Sequence, residues 1–144
     1  MPNVKAQLKL LYAVELIGKG TYTVYANQCR KRYPDFAAKL DEYGDHEHGH
    51  AMMAKEALRN GFQTEVGREA FWIGFGKCLA YMQFLVLMGV KIWTLALIER
   101  VAMKKLEADI AAGGDNPYTE ILAKLPPDEE KHGQLYEEWK NRKR

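Results

Sequence analysis

A glutamate interrupts the apolar face of each of four predicted helices, and this repeated interruption limits what the chain can fold into. Apolar residues recur at steps of three and four along almost the whole sequence, which predicts an all-α fold. A bundle built from such faces would hold four carboxylates in its core. The four faces are Leu8, Leu11, Glu15, Gly18, Tyr22, Tyr25 and Cys29; Phe36, Leu40, Tyr43, Glu47, His50, Ala54 and Ala57; Ile92, Leu95, Glu99, Met103, Leu106 and Ile110; and Leu122, Leu125, Glu129, His132, Tyr136 and Trp139.

Proline and glycine divide the chain into four long helices and one crossover, which we expect to form a single domain of residues 1–144. In the crossover, a helix of roughly 20 residues between Ala70 and Gly89 would span about 30 Å, the length of the bundle. Helices 2 and 3 would then run parallel. The predicted segments are helix 1, about Val4 to Arg30; helix 2, about Asp35 to Arg59; the crossover, about Phe62 to Val90; helix 3, about Lys91 to Ala112; and helix 4, about Tyr118 to Arg142 with a break or kink at Pro126-Pro127.

The four glutamates are placed so that they meet in the middle of two helical hairpins. Residues at one level of an antiparallel hairpin are equally distant from its turn. Position 31 is midway between Glu15 and Glu47 and falls in the turn between helices 1 and 2. Position 114 is midway between Glu99 and Glu129 and falls in the turn between helices 3 and 4. The numbering therefore predicts that all four carboxylates lie at mid-height in the bundle.

A cluster of buried carboxylates needs a positive partner, because an isolated buried carboxylate costs several kcal/mol and neighbouring ones repel each other. The four apolar faces contain no lysine or arginine. Two faces instead carry a histidine three positions after the glutamate, His50 and His132. Carboxylate oxygens and imidazole nitrogens suit Fe²⁺ or Mn²⁺, so a metal centre is indicated. His46 and His48 fall off the apolar face of helix 2 and are predicted to be solvated.

One glutamate from each of two helices, with E-x-x-H from each of the other two, resembles the ligand set of the ferritin-like di-iron carboxylate proteins. The resemblance implies a four-helix bundle with one long, partly helical crossover between helices 2 and 3. It also implies two iron ions, or manganese in their place, with Glu47 and Glu129 bridging or capping the pair. The implied metal residues are Glu15, Glu47, His50, Glu99, Glu129 and His132.

Within that superfamily, two groups are similar to this chain. The stretches VELIGKGTYTVYANQ and TLALIERVAMKKL look like demethoxyubiquinone hydroxylases. This likeness implies an O₂-activating oxidoreductase, supplied by an external electron donor, that oxidises or hydroxylates a small apolar, quinone-like substrate. The ligand spacing also resembles rubrerythrins, although Ala96 stands where those proteins commonly carry an extra glutamate and a cysteine-rich module is absent. The alternative function is therefore a peroxide-reducing or iron-oxidising protein, and a structural bundle without metal is a third reading.

The crossover contains an unusually apolar stretch. The uncharged run Cys78 to Val90 is 13 residues long, whereas a membrane span needs about 18 or more. We expect either a buried helix or a segment lying on a membrane surface. The residues between Phe71 and Met88 offer more apolar surface than one helix usually buries. That surface could dock on a bilayer, admit a lipophilic substrate or form a homodimer interface.

Charge and cysteine content limit the remaining alternatives. The formal net charge of +2 is too small to indicate nucleic acid binding, and the basic residues at 140–144 are expected to be a solvated tail. Cys29 and Cys78 are far apart, which suggests neither a disulfide framework nor a thiolate site. The apolar run Leu10 to Val14 is too short for a secretory signal, so we expect a cytoplasmic protein, with contact to the inner membrane as one alternative.

Gly18 lies one turn from Glu15 on the same face of helix 1. A glycine inside a helix costs about 1 kcal/mol relative to alanine, which suggests a specific need for space. Two readings stay open at this point. The space could admit a substrate beside the metal, walled by Tyr22, Tyr25 and Met103, or it could allow close packing of helices.

Overall fold

The computed structural model describes residues 3–142 and forms seven α-helices there, with no strand in that range. The all-α prediction is confirmed. Lys143 and Arg144, part of the predicted solvated tail, lie outside the described residues. The helices are α1 (Val4–Cys29), α2 (Pro34–Phe62), α3 (Glu69–Met82), α4 (Met88–Ala112), α5 (Pro117–Leu122), α6 (Pro126–Gly133) and α7 (Leu135–Lys140).

The helix ends follow from local sequence chemistry. The Asn3 side chain accepts a hydrogen bond from the Ala6 amide and caps the start of α1 (3.1 Å). Pro34 occupies the first turn of α2, where its missing N–H costs nothing. The α2 helix ends at Phe62, and Gln63, which follows it as the C-cap, adopts a left-handed conformation with φ of 47°. These terminators place helices 1 and 2 of the bundle within a few residues of their predicted bounds.

The helices form a ferritin-like bundle, as predicted. The α1 and α2 helices make an antiparallel hairpin, and α4 packs against α6 and α7. Lys91 near the start of α4 bonds Gln28 near the end of α1 (3.1 Å), and the Tyr22 hydroxyl reaches Glu99 farther along (2.8 Å). The α4 helix therefore runs antiparallel to α1 and parallel to α2, which is the direction that one long crossover requires.

The crossover helix is shorter than predicted. The α3 helix has 14 residues, which corresponds to about 21 Å rather than 30 Å, and non-helical chain covers the remaining distance. It runs alongside α1 in the same direction and packs very closely against it. A Cβ atom added at Gly20 would collide with the carbonyl oxygen of Ile73, and one added at Gly76 would collide with that of Ile17. Only glycine at these two positions permits this spacing.

Helix 4 of the prediction is three helices in the structure. The predicted break or kink at Pro126-Pro127 is a break at 123–125, directly before the prolines, and a second interruption follows at Gln134. Prolines lack a backbone N–H and clash with the carbonyl four residues earlier, so α5 ends before them and α6 starts on them. Gly133, a weak helix former, ends α6.

The bundle core consists of two apolar clusters with a charged layer between them. One cluster, which includes Tyr25, Leu40 and Trp139, fills the end near the α1–α2 turn. The other, which includes Leu8 and Leu58, fills the opposite end. The glutamates of the four apolar faces lie at the level where these clusters meet.

The uncharged run Cys78 to Val90 is not a buried helix, which corrects one of its two predicted readings. Ala80 is its only buried residue, and Phe84, Leu85 and Leu87 are 73%, 83% and 78% exposed. The run contains the end of α3, a loop and the start of α4, and residues 81–87 are all exposed. Among residues 3–142, no helix combines the length and apolar character that crossing a membrane requires.

Candidate metal centre

Four helices bring all six predicted metal residues into one layer of the bundle. All six are buried, with exposed fractions of at most 8%. The step of three residues places each histidine on the same helix face as its glutamate. The contributions are Glu15 from α1, Glu47 and His50 from α2, Glu99 from α4, and Glu129 and His132 from α6.

The six side chains form two overlapping groups of four. Within each group, one oxygen or nitrogen atom per residue lies within 4.8 Å of the others. Glu47 and Glu129 belong to both groups, which is the position expected of carboxylates that bridge two ions. One group is Glu15, Glu47, His50 and Glu129, and the other is Glu47, Glu99, Glu129 and His132.

Unpaired buried atoms support a metal at this layer. Glu47 Oε1 and His132 Nδ1 are buried and lack a hydrogen-bond partner, although they are 3.1 Å apart. Buried polar atoms are almost always paired, and a cation between them would satisfy both. His50 Nδ1 similarly lies 3.3 Å from Glu15 and 3.5 Å from Glu129. Both histidines therefore turn Nδ1 toward the carboxylates, and this donor set suits Fe²⁺ or Mn²⁺.

The electrostatics also favour a bound cation. Burial, followed by repulsion from Glu15, Glu99 and Glu129, raises the pKa of Glu47 well above its usual value. Burial raises the pKa of Glu99 to about 7 and that of Glu129 to about 8. Metal ions offset such penalties because they attract the charged form of each carboxylate.

The two histidines respond differently to the site. Burial lowers the pKa of His132 to about 3, so its ring is neutral at neutral pH, as a metal ligand must be. Burial also acts to lower the pKa of His50, but its hydrogen bond to Glu15 and the nearby negative charge outweigh burial and raise it. His50 therefore lies in the more negative surroundings of the two.

Aromatic residues seal one side of the carboxylate layer. The buried Tyr22 hydroxyl donates a hydrogen bond to Glu99 Oε1 at 2.8 Å. The rings of Tyr22 and Tyr43 lie 5.6 Å and 4.6 Å from the His132 ring, measured between centroids. These contacts hold Glu99 and His132 in place and keep water away from them.

Gly18 makes room for a carboxylate, which resolves the two readings of the sequence. A Cβ atom at position 18 would collide with Glu47 Oε2. The space is therefore filled by Glu47 itself, across a close α1–α2 contact, and the substrate reading of Gly18 is wrong. Its position one turn from Glu15 places the bridging candidate Glu47 directly beside the first-helix carboxylate.

We expect Gly18→Ala to weaken metal binding about 10- to 100-fold, because the new methyl group displaces the Glu47 carboxylate. A Mn²⁺ titration followed by calorimetry measures this change. Gly49→Ala is the matched control, because nothing lies within 4 Å of a Cβ atom at position 49. It should leave the affinity unchanged and raise the free energy of unfolding by about 1 kcal/mol. Equal Mn²⁺ affinity in the two variants would contradict this role of Gly18.

Two residues at the site were not identified from the sequence. His46 was predicted to be solvated, but its Nδ1 lies 3.2 Å from His132 Nε2 and its side chain is only 21% exposed. Asp128 Oδ2 lies 3.3 Å from His50 Nε2. Their positions in the sequence could have identified them, since each residue directly precedes the glutamate of an E-x-x-H motif. His48 points elsewhere and pairs with Glu69 at 2.9 Å, outside the carboxylate layer.

Comparison with known proteins agrees with this geometry. A family model described as rubrerythrin matches residues 7–140, a range that includes all six residues of the candidate centre. The comparisons with curated proteins and with solved structures give no match. The family match covers most of the chain, and the buried carboxylate–histidine cluster lies where a ferritin-like bundle holds its metals. The chain belongs to the rubrerythrin family of the ferritin-like di-iron superfamily.

Proposed function

We propose that the protein is a di-iron oxidoreductase that reduces a small oxidant, hydrogen peroxide or O₂, with electrons from an external donor. The observation that carries the proposal is the pair of overlapping four-residue groups that share Glu47 and Glu129. Six ligands of this kind are the set that holds two ions in ferritin-like bundles. Manganese would suit the same donors.

The residues of the chain have separate roles in this proposal. Glu47 and Glu129 would hold both ions, Glu15 and His50 one of them, and Glu99 and His132 the other. Two bound ferrous ions would supply the two electrons that convert hydrogen peroxide and two protons into two water molecules. Tyr22 keeps Glu99 oriented through its hydrogen bond and, together with Tyr43, excludes bulk water from the His132 side.

Burial of the site favours a small oxidant over a bulky substrate. All six residues are at most 8% exposed. Two surface cavities lie elsewhere on the protein, and none of the six residues lines either of them. One is lined by Met53, Gly61 and Pro117 among others, and the second by Phe36, Gln134 and Arg142 among others. Peroxide and O₂ need no such cavity.

The electron donor lies outside these 144 residues in this proposal. Cys29 and Cys78 are the only cysteines, and Cys29 is buried while Cys78 is exposed. Two separated cysteines cannot hold the four-cysteine iron site that transfers electrons in rubredoxin-type modules. The reductant must therefore dock on the surface of the bundle.

A second candidate function is O₂-dependent oxidation or hydroxylation of a small apolar, quinone-like substrate. Its support is the exposed apolar surface of the crossover and the start of α4. This surface could contact a membrane, a second copy of the chain or a lipophilic substrate. Its residues include Phe71, Phe75, Met82, Phe84, Leu85, Leu87, Val90 and Trp93.

Parallel assays of the iron-loaded, reduced protein separate the two candidates. We expect hydrogen peroxide to be consumed faster than a lipophilic quinone is oxidised in the presence of O₂. We also expect Leu85→Glu to leave both peroxide turnover and iron content unchanged, because Leu85 is 83% exposed and lies in the loop outside the carboxylate layer. Slow peroxide turnover together with rapid quinone oxidation that Leu85→Glu abolishes would favour the second candidate.

A further inference from the structure

In each of the two histidines of the candidate centre, the ring nitrogen that faces away from the carboxylates contacts another side chain. The two contacting side chains differ in type. Each histidine turns Nδ1 toward the carboxylates and Nε2 away from them. Asp128 Oδ2 stands 3.3 Å behind His50 Nε2, and His46 Nδ1 stands 3.2 Å behind His132 Nε2. In both cases the supporting residue precedes the glutamate of the opposite E-x-x-H motif, so the arrangement has an approximate two-fold symmetry that the residue types break.

This difference in residue type has a chemical consequence for the ligand histidines. A histidine that binds metal through Nδ1 carries its proton on Nε2 and donates it to the group behind. A carboxylate such as Asp128 accepts that proton strongly and increases the electron density of the imidazole. The imidazole of His46 brings no negative charge and is a weaker hydrogen-bond acceptor than a carboxylate.

The surroundings of His46 allow it to serve as that acceptor. Its ring plane is within 12° of the His132 ring plane, with centroids 5.5 Å apart, which permits an edge-to-edge hydrogen bond. His46 Nε2 lies on the far side of the ring, 3.8 Å from Glu42 Oε1. Asp128 Oδ1 lies 3.6 Å from His46 Nδ1, which places both supporting residues at one edge of the centre.

We infer that the two metal positions are inequivalent, and that the position at His50, supported by Asp128, binds a divalent ion more tightly than the position at His132, supported by His46. The inference rests on the proposed di-iron centre. His46 and Asp128 are positioning residues here, since they act through the ligand histidines.

The geometry of the side chains allows a direct exchange experiment. Nδ1 of histidine and Oδ1 of aspartate are the same number of bonds from Cα, so either residue can present its acceptor atom at the same place. His46→Asp converts the weaker support into a carboxylate, and Asp128→His converts the stronger support into an imidazole. The partly exposed Asp128 side chain, at 30%, leaves room for the larger ring.

Anaerobic titration of the metal-free protein with Mn²⁺, followed by calorimetry, tests the inference. The unmodified chain should bind two ions in steps whose affinities differ at least tenfold, in line with the typical effect of such supporting residues. His50→Ala should remove the tighter step and His132→Ala the weaker one. His46→Asp should increase the affinity of the weaker step, and Asp128→His should decrease the affinity of the tighter step. Each exchange should therefore reduce the difference between the two Mn²⁺ affinities.

Two further variants complete the design. His48→Asp is the matched control, because His48 lies two positions from His46 but pairs with Glu69 away from the centre, and both steps should stay unchanged. In the double variant His46→Asp/Asp128→His, the position at His132 should bind Mn²⁺ more tightly than the position at His50. His132→Ala should then remove the tighter step. Two ions bound with equal affinity, or a difference that neither exchange alters, would overturn the inference while leaving the di-iron centre intact. Failure to bind Mn²⁺ or Fe²⁺ at all would overturn both.

Discussion

Replacing Glu47 with glutamine is expected to reduce the iron content from about two ions per chain to fewer than one and to stabilise the metal-free protein at the same time. Glu47 belongs to both ligand groups, so its loss affects both positions. Burial and the three neighbouring glutamates raise the pKa of Glu47, which means that its charge destabilises the metal-free fold. A neutral amide of the same shape removes that cost, which we expect to raise the free energy of unfolding by about 1–3 kcal/mol.

Metal analysis and urea denaturation of the same preparations measure both effects. Glu56→Gln is the matched control, because Glu56 is exposed on the same helix and should change neither quantity. Glu99→Gln should lower the occupancy of one position only, because Glu99 belongs to a single group. Retention of two ions in Glu47→Gln would show that this carboxylate does not bridge.

The second large effect concerns pH. The folded-state pKa values of Glu99 and Glu129, about 7 and about 8, lie above the ordinary value of a glutamate. Stability from their protonated forms is fully present at acidic pH and is lost as pH rises through these values. The upward shift of the His50 pKa acts in the same direction. His132, with a pKa of about 3, acts in the opposite direction, but its contribution is complete above its ordinary pKa near 6.5.

We therefore expect the metal-free protein to lose about 2–4 kcal/mol of stability between pH 6.5 and pH 8, where only the destabilising changes remain. Thermal unfolding at several pH values measures this loss. Saturating Mn²⁺ should remove the decline and add about 2.7 kcal/mol at a hundredfold excess over the dissociation constant, because the metal binds the deprotonated carboxylates of the folded state. Identical melting curves with and without metal at pH 8 would place these glutamates outside a metal site.

Much of the architecture was predictable because helical periodicity is local information. Steps of three and four residues assigned Glu15 and Glu99 to buried faces, and both are buried in the structure. The midpoints of the glutamate pairs predicted two hairpins, and the structure pairs α1 with α2 and α4 with α6. The six candidate ligands could be identified in the same way, since a buried charge is anomalous wherever it occurs in an apolar pattern.

The crossover and helix 4 were less predictable, since in both the local preference for helix competes with contacts to other parts of the fold. The apolar run after Cys78 has the composition of a buried helix, yet α3 ends at Met82 and residues 81–87 are exposed. Pro126 and Pro127 predicted an interruption in helix 4. The second break at Gln134 has only the weak signal of Gly133 beside it.

The sequence alone determined the helical class, the hairpin register and the identities of the six buried residues of the candidate centre, because each depends on spacing within a helix. Only the tertiary structure decided what surrounds them. The Glu47 carboxylate occupies the space that a side chain at Gly18 would fill. His46 and Asp128 contact the outer ring nitrogens of His132 and His50, which belong to the opposite motifs. These contacts join residues from different helices, and their distances depend on how closely and at what rotation the helices pack. Periodicity specifies which face of a helix is buried, but it leaves open which atoms of the neighbouring helix that face will meet.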